Sequence, residues 1–270
     1  MLTKSWKLMR SLLAVTSIFL IILPHNVTAQ DASEEVGLFF NQATYQCMLS
    51  QQVIKDYMLL GVEVDVAETS VEMKESIKAF DNMLKDFKRK ELSETLKSAI
   101  EKLEQDWKKT KSLLTKRATK YGGEQLLTRN VDLYKSCSQF VETVAQGISS
   151  RYKNMMMATA KQRILAQQMV LYYTAYAWGF REPQIEEALS KFNKEFNVGV
   201  ILLSKNNTNV ADINNAIKKI KSHWIYAKTG MSKYHEKKFV PHLVAASMGS
   251  IVRELNKVVS LYQDLIDRSV

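Results

Sequence analysis

The sequence predicts an all-α protein: two tandem up-down-up-down four-helix bundles sharing one long central helix. Three observations carry this. Proline occurs only at positions 24, 183 and 241, and there are nine glycines among 270 residues, so the residues that end helices are absent from long stretches. Apolar side chains recur at steps of three and four, the signature of one helical face. Finally, the chain repeats itself. Thr44–Gly61 aligns without gaps within Ala160–Gly179, matching Gln46 with Gln162, Leu49 with Leu165, Gln51 and Gln52 with Gln167 and Gln168, and Tyr57 with Tyr173, 116 residues apart. A second pair of stretches, around Trp107 and Trp224, repeats at 117 residues, so the unit is a whole domain and not one helix.

Residues 1–29 read as a signal peptide. Lys4, Lys7 and Arg10 precede an apolar run from Ser11 to Leu23, and Val27-Thr28-Ala29 supplies small residues for cleavage. The run is shorter than the ~20 residues a membrane-spanning helix needs; an uncleaved anchor is the alternative. The expected product is exported, soluble and periplasmic. Its formal charge falls from +10 to +7 once those three cations are removed. That balance favours anionic partners without selecting one, and export argues against nucleic acid. Most cations interleave with acids, as in Lys85-Asp86-Phe87-Lys88-Arg89-Lys90-Glu91, the pattern of a solvated helix face.

The first bundle is assigned to residues 30–150. Its first helix starts near Asp31 or Ser33, both competent N-caps, and runs to Gly61 with one apolar stripe through Phe39, Leu49, Val53, Tyr57 and Leu60. Thr69-Ser70-Val71-Glu72 is a capping box for the second helix, which carries Met73, Ile77, Phe80, Leu84 and Phe87 inward and ends at the Lys88–Lys90 basic run. The third helix spans about Glu91 to Tyr121, with Gly122-Gly123 as its left-handed stop. No proline lies between Gly123 and Pro183, so the fourth helix is expected to continue into the fifth, and the two bundles to stack end to end on it. The second bundle, 151–270, repeats the plan: Pro183 opens a helix, Lys205–Asn209 is a loop, and Pro241 opens the last helix.

Gln46-Cys47-Met48-Leu49-Ser50-Gln51-Gln52 and Gln162-Arg163-Ile164-Leu165-Ala166-Gln167-Gln168 resemble the Arg-Gln-Arg-Met-Leu-Ser-Gln-Arg signature of the PilJ/NarX-type sensory domain, also called the type IV pili methyl-accepting chemotaxis transducer N-terminal domain. The resemblance covers nearly the whole chain after residue 29 as two copies. It implies a periplasmic four-helix sensor bundle. In nitrate-sensing members, the arginine before the Met-Leu pair contacts the anion where two first helices meet in a dimer, and that arginine corresponds to Arg163. The first copy departs from the pattern with Cys47 at that position, and both copies have Gln, at Gln52 and Gln168, where the signature ends in Arg. Membrane-anchored members continue into transmembrane and signalling modules, which the sequence to Val270 does not contain. Action through a separate membrane-bound signalling or envelope protein follows as an expectation. So does a homodimer through the central helix.

The candidate ligand-binding residues are Arg163, Gln162 and Gln167. A guanidinium is a planar fork of donors suited to nitrate, carboxylate or phosphate, and Gln167 lies one turn on. The competing reading is an arginine between helices that snorkels to water. Gln46, Gln52, Gln162 and Gln168 lie beside or within apolar stripes and read first as register devices in a bundle. The run Leu171–Trp178 reads as core, and Met155-Met156-Met157 as gap-filling. His223, His235 and His242 lack the spacing and companions of a metal site. No nucleophile–base pair, paired carboxylates or glycine-rich phosphate loop is present, so the reading is non-catalytic, with no cofactor and no metal. A small anion is the expected ligand. The alternative function is a structural or interaction accessory of the envelope, related to pili or transport, with no small-molecule ligand.

Cys47 and Cys137 are the only cysteines and are expected to form a disulfide in an oxidising compartment. They come level in an antiparallel pair of helices if the fourth helix starts at Glu124. A start at Asn130 separates them by ~10 Å, beyond the ~7 Å reach of a bridge.

Overall fold

The computed structural model describes residues 29–148 and 153–267. The expected signal peptide lies outside them, apart from Ala29. Among the described residues the chain is helical and contains no strand. It forms α1 (Ala29–Gly61), α2 (Val66–Arg89), α3 (Glu94–Leu114), α4 (Lys120–Ala145), α5 (Lys153–Trp178), α6 (Pro183–Lys205), α7 (Ala211–Met231) and α8 (Pro241–Asp267), with a 3₁₀ turn at Tyr234–Glu236.

Local chemistry accounts for most boundaries. α2 begins three residues ahead of the capping box, after Asp65 in the left-handed region, and the Thr69 hydroxyl donates to the Val64 carbonyl instead. Ser93 caps α3 by accepting from the Leu96 N–H. Pro183 and Pro241 open α6 and α8 as expected. Gly122-Gly123 is not the stop of α3. Both glycines lie in the first turn of α4, where Thr119 accepts from the Gly122 N–H, and their bareness serves packing: Trp178 and Phe180 cover Gly123, where a Cβ would come within 2.9 Å of both rings.

The shared central helix is also corrected. α4 ends at Ala145, where the Gln146, Gly147 and Ile148 N–H groups bond to carbonyls three residues back, tightening the turn. Gly147 is a poor helix former, and leaving the helix buries Ile148.

Within each half of the chain consecutive helices touch: α1 packs on α2 and α4, and α3 on α4, while α5 packs on α6 and α8, and α7 on α8. The halves do not stack end to end. α1 lies along α5 and also reaches α8. The two first helices run in the same direction: Arg163 meets Asn41 and Thr44, Gln167 meets Gln52, and Trp178 meets Tyr57 and Gly61. The physical reason is visible in the burial pattern. Residues 162–171 are all buried, as are 46–51 and 53–59, so neither helix has a polar face to turn to water. Such helices must be enclosed on all sides. The single apolar stripe expected of α1 underestimates it. A homodimer through α5 would have to displace α1, because the chain supplies that pairing itself.

The internal repeat persists in three dimensions. Trp107 Nε1 donates to Asp81 Oδ1 at 2.9 Å and stacks on Phe80; 116 to 117 residues later Trp224 Nε1 donates to Asn197 Oδ1 at 3.3 Å, beside Phe196. Tyr57 Oη donates to the Arg117 carbonyl and accepts from the Thr119 N–H, tying down the α3–α4 connection. Tyr173 Oη does the same with the Gly230 carbonyl and the Val240 N–H between α7 and α8. These paired clamps generate a prediction. Tyr57→Phe and Tyr173→Phe should each lower unfolding free energy by about 1 kcal/mol, measured in denaturant, with additive losses in the double variant. Unchanged midpoints would show that water replaces the hydroxyl at no cost.

Candidate functional site

The site is built from two helices that need each other's surface. Arg163 projects from the fully buried stretch of α5 and is 2 % exposed. Its Nη1 donates to Asn41 Oδ1 on α1 at 3.3 Å and to Asn256 Oδ1 on α8 at 3.1 Å, and its Nη2 donates to Thr44 Oγ1 on α1 at 2.5 Å. Nε has no acceptor. Among the described residues no carboxylate pairs with this guanidinium; all three partners are neutral amide or hydroxyl oxygens. Burial pulls its pKa down to about 10, so the group is still charged at neutral pH. A buried cation whose companions are only dipoles is costly, by several kcal/mol per ion, and an anion is the group that would relieve it.

The other expected residues divide. Gln167, one turn from Arg163, faces α1, where its Nε2 lies 3.5 Å from Gln52 Oε1; Gln52 in turn donates to Glu72 Oε1 at 2.8 Å. Gln162 points elsewhere, because adjacent helical positions diverge by about 100°. Its amide covers Gly199 of α6, and its Oε1 is unpartnered. The first copy's amides join its helices: Gln46 Nε2 donates to the Phe80 carbonyl of α2 and Gln51 Nε2 to Asn130 Oδ1 of α4. The aromatic run is largely buried, with Tyr173 fully so and Tyr176 packed on Tyr234 and Phe239.

Sequence reasoning missed Asn41, Thr44 and Asn256. The first two stand three apart on α1, one turn before the repeated motif, and that spacing was the available signal. Asn256 had none: it arrives from a helix 93 residues away in sequence.

Cys47 occupies the position equivalent to Arg163. It and Cys137 are side by side and fully buried as free thiols, as the level pairing of α1 and α4 requires. Burial pushes the Cys137 thiol well up, which suppresses the thiolate that exchange needs. Among the described residues no group of three His, Cys, Asp or Glu side chains could hold a metal, and no helix is long and apolar enough to cross a membrane.

A further buried charge lies two turns along α1. Asp56 has its carboxyl raised to about 7, chiefly by burial. Lys55 Nζ sits 2.8 Å from its Oδ1, a charge contact between chain neighbours that leaves neither oxygen with a well-aligned donor.

Comparison with family models, with curated proteins and with solved structures finds no match for this chain.

Two predictions follow from these geometries. Because the folded carboxyl of Asp56 holds its proton more tightly than the unfolded one, its contribution to stability falls as pH rises from about 4 through about 7. Asp56→Asn should therefore flatten that limb of the stability–pH curve and leave the protein more stable at pH 8, measured by chemical denaturation; an unaltered limb would exonerate Asp56. For the cysteines, both thiols should resist alkylation in the folded protein and react after unfolding. An intact mass lacking two hydrogens before reduction would instead show the bridge.

Proposed function

We propose that this chain is a non-catalytic, exported binding protein that senses a small anion such as nitrate or a carboxylate and acts through a separate membrane partner. In this reading it consists of two four-helix bundles joined side by side along α1 and α5, and the anion is held at that seam by Arg163. One observation carries it: a fully enclosed guanidinium, with no carboxylate partner and an unsatisfied Nε, between α1, α5 and α8. The PilJ/NarX resemblance puts its arginine where two first helices meet. Here both first helices belong to one chain. Cys47 takes the second arginine's position, so the seam holds one guanidinium and is free of the like-charge repulsion that two would bring.

A second reading has its own support. Asn41, Thr44 and Asn256 already accept from Arg163, which suits a polar latch holding α1, α5 and α8 together in an accessory protein without a ligand. The two readings diverge on stability and binding. If Arg163 is kept for an anion, Arg163→Met, apolar and similar in length, should leave the ligand-free protein as stable or more stable, since it removes an uncompensated buried charge. Nitrate, nitrite or a small carboxylate should raise the melting temperature of the unaltered protein and give calorimetric heat, and Arg163→Lys, which loses the planar fork, should weaken that binding about tenfold or more. A flat anion screen combined with a loss of several kcal/mol in Arg163→Met would establish the latch and remove the sensor.

A further inference from the structure

The two copies differ most where they face solvent. In the first copy, α2 and α3 flank a groove of about 400 Å³ lined by Trp107 with Lys85, Lys88, Lys108 and Lys111, and by the carboxylates of Asp81 and Glu104. The Trp107–Asp81 and Trp224–Asn197 pairs fix how this groove maps onto α6 and α7. Buried positions agree on that mapping: Phe80, Leu84, Phe87, Ile100 and Leu103 correspond to Phe196, Val200, Leu203, Ile217 and Ile220, all enclosed. Exposed positions do not. Asn82, Lys85, Asp86, Lys108 and Lys109 of the first copy, all exposed, become Val198, Ile201, Leu202, Ile225 and Tyr226, which remain between 43 % and 65 % exposed.

The charges change in the same direction. Asp81, Asp86, Glu101, Glu104 and Asp106 are replaced by Asn197, Leu202, Lys218, Lys221 and His223. From Phe196 to Ala211 and from Ile213 to His235 the chain contains no acid, while it carries Lys205, Lys218, Lys219, Lys221, Lys228 and Lys233. The first copy therefore shows what this scaffold looks like when the face is merely solvated, and the second copy replaces that face with protruding aliphatic and phenolic groups in a field of lysines.

We infer that the outer face of α6 and α7 is a docking surface for an anionic lipid bilayer, into whose interface Val198, Ile201, Leu202, Ile225 and Tyr226 insert while the surrounding lysines meet the headgroups. Apolar side chains in a lysine-rich surround match the pattern of interfacial membrane binding even with Glu195 and Asp212 on the same two helices and Lys219 paired with Glu254, and each unpaired cation near an anionic surface adds to the attraction. Side chains exposed this far project from the surface, which suits insertion into a fluid interface more than reception of a partner helix in a groove. A second copy of the chain is the poorer occupant, since two such faces would bring like charges together. The inference does not depend on Arg163 or on any small-molecule ligand.

The test compares the chain from Gln30 onward on vesicles of phosphatidylcholine alone and of phosphatidylcholine with about one-third phosphatidylglycerol, by cosedimentation. Binding is expected to the anionic vesicles and not to the neutral ones. Ile201→Lys with Ile225→Lys installs the residues that the first copy tolerates at Lys85 and Lys108. It should lower partitioning about tenfold or more even though it adds positive charge, with the helical circular dichroism unchanged. Lys218→Glu with Lys221→Glu, which restores the first copy's acids, should lower it too. Three results would overturn the inference: no binding to anionic vesicles, binding that survives the paired isoleucine change, or concentration-dependent self-association that the same change abolishes, which would assign the face to a second copy.

Discussion

The structure rests on the enclosure of α1 by α5. Each is the first helix of its repeat, and each lacks a solvated face through its middle three turns or so. A four-helix arrangement closed within one repeat would cover only the inward side of such a helix and leave the opposite side in water. Laying the two helices alongside one another, in the same direction, covers both remaining sides at once. Burial of this kind acts in proportion to the apolar area removed from water, so a seam between two long helices is a large and non-directional source of stability.

Direction and height along that seam come from its polar groups. An amide buried without a partner costs on the order of 1 to 3 kcal/mol, so any slip of α1 along α5 is penalised wherever a glutamine loses its acceptor. Gln46, Gln51 and Gln52 reach α2 and α4 within the first repeat, whereas Arg163 and Gln167 reach across to α1. The tyrosine clamps then hold the far ends of the helices, with Tyr57 and Tyr173 each closing a connection from the core side. Arg163 stands out in this network because its partners accept only from Nη1 and Nη2, leave Nε unsatisfied and do not balance its charge.

The two halves of the chain repeat one pattern of buried pairs and differ in separable ways. Inside, Arg163 faces the seam where its counterpart is the small neutral Cys47, so the interior is asymmetric at the position of the buried guanidinium. Outside, the α2–α3 face is a mixed-charge surface and the α6–α7 face is apolar and basic. Neither change disturbs the repeated internal pairs of tryptophan with phenylalanine and of tyrosine with a carbonyl near the next helix connection. A scaffold whose core is set by one group of positions can vary its binding surfaces through another.

What the sequence determined by itself is the local and the repeated. The dearth of proline and glycine, the three- and four-residue apolar steps, the Pro183 and Pro241 starts and the 116-residue alignment all report on interactions within a helix or within one repeat, where near neighbours in sequence are near neighbours in space. The candidate arginine was legible from its place in the repeated motif, where it matches the arginine of the sensory-domain signature that the motif resembles. What only the tertiary structure decided is where separate helices meet. The halves pack side by side and not end to end because residues 46–59 and 162–171 require cover on every face, while the backbone leaves the helix at Ala145 although no proline forces it. Gly122 and Gly123 read as a stop and act as a clearing for aromatic rings that arrive from α1 and from the end of α5. Asn256 joins Arg163 from α8. Each of these depends on contacts between positions tens of residues apart, and a one-dimensional pattern carries no information about which of its apolar faces will find which partner.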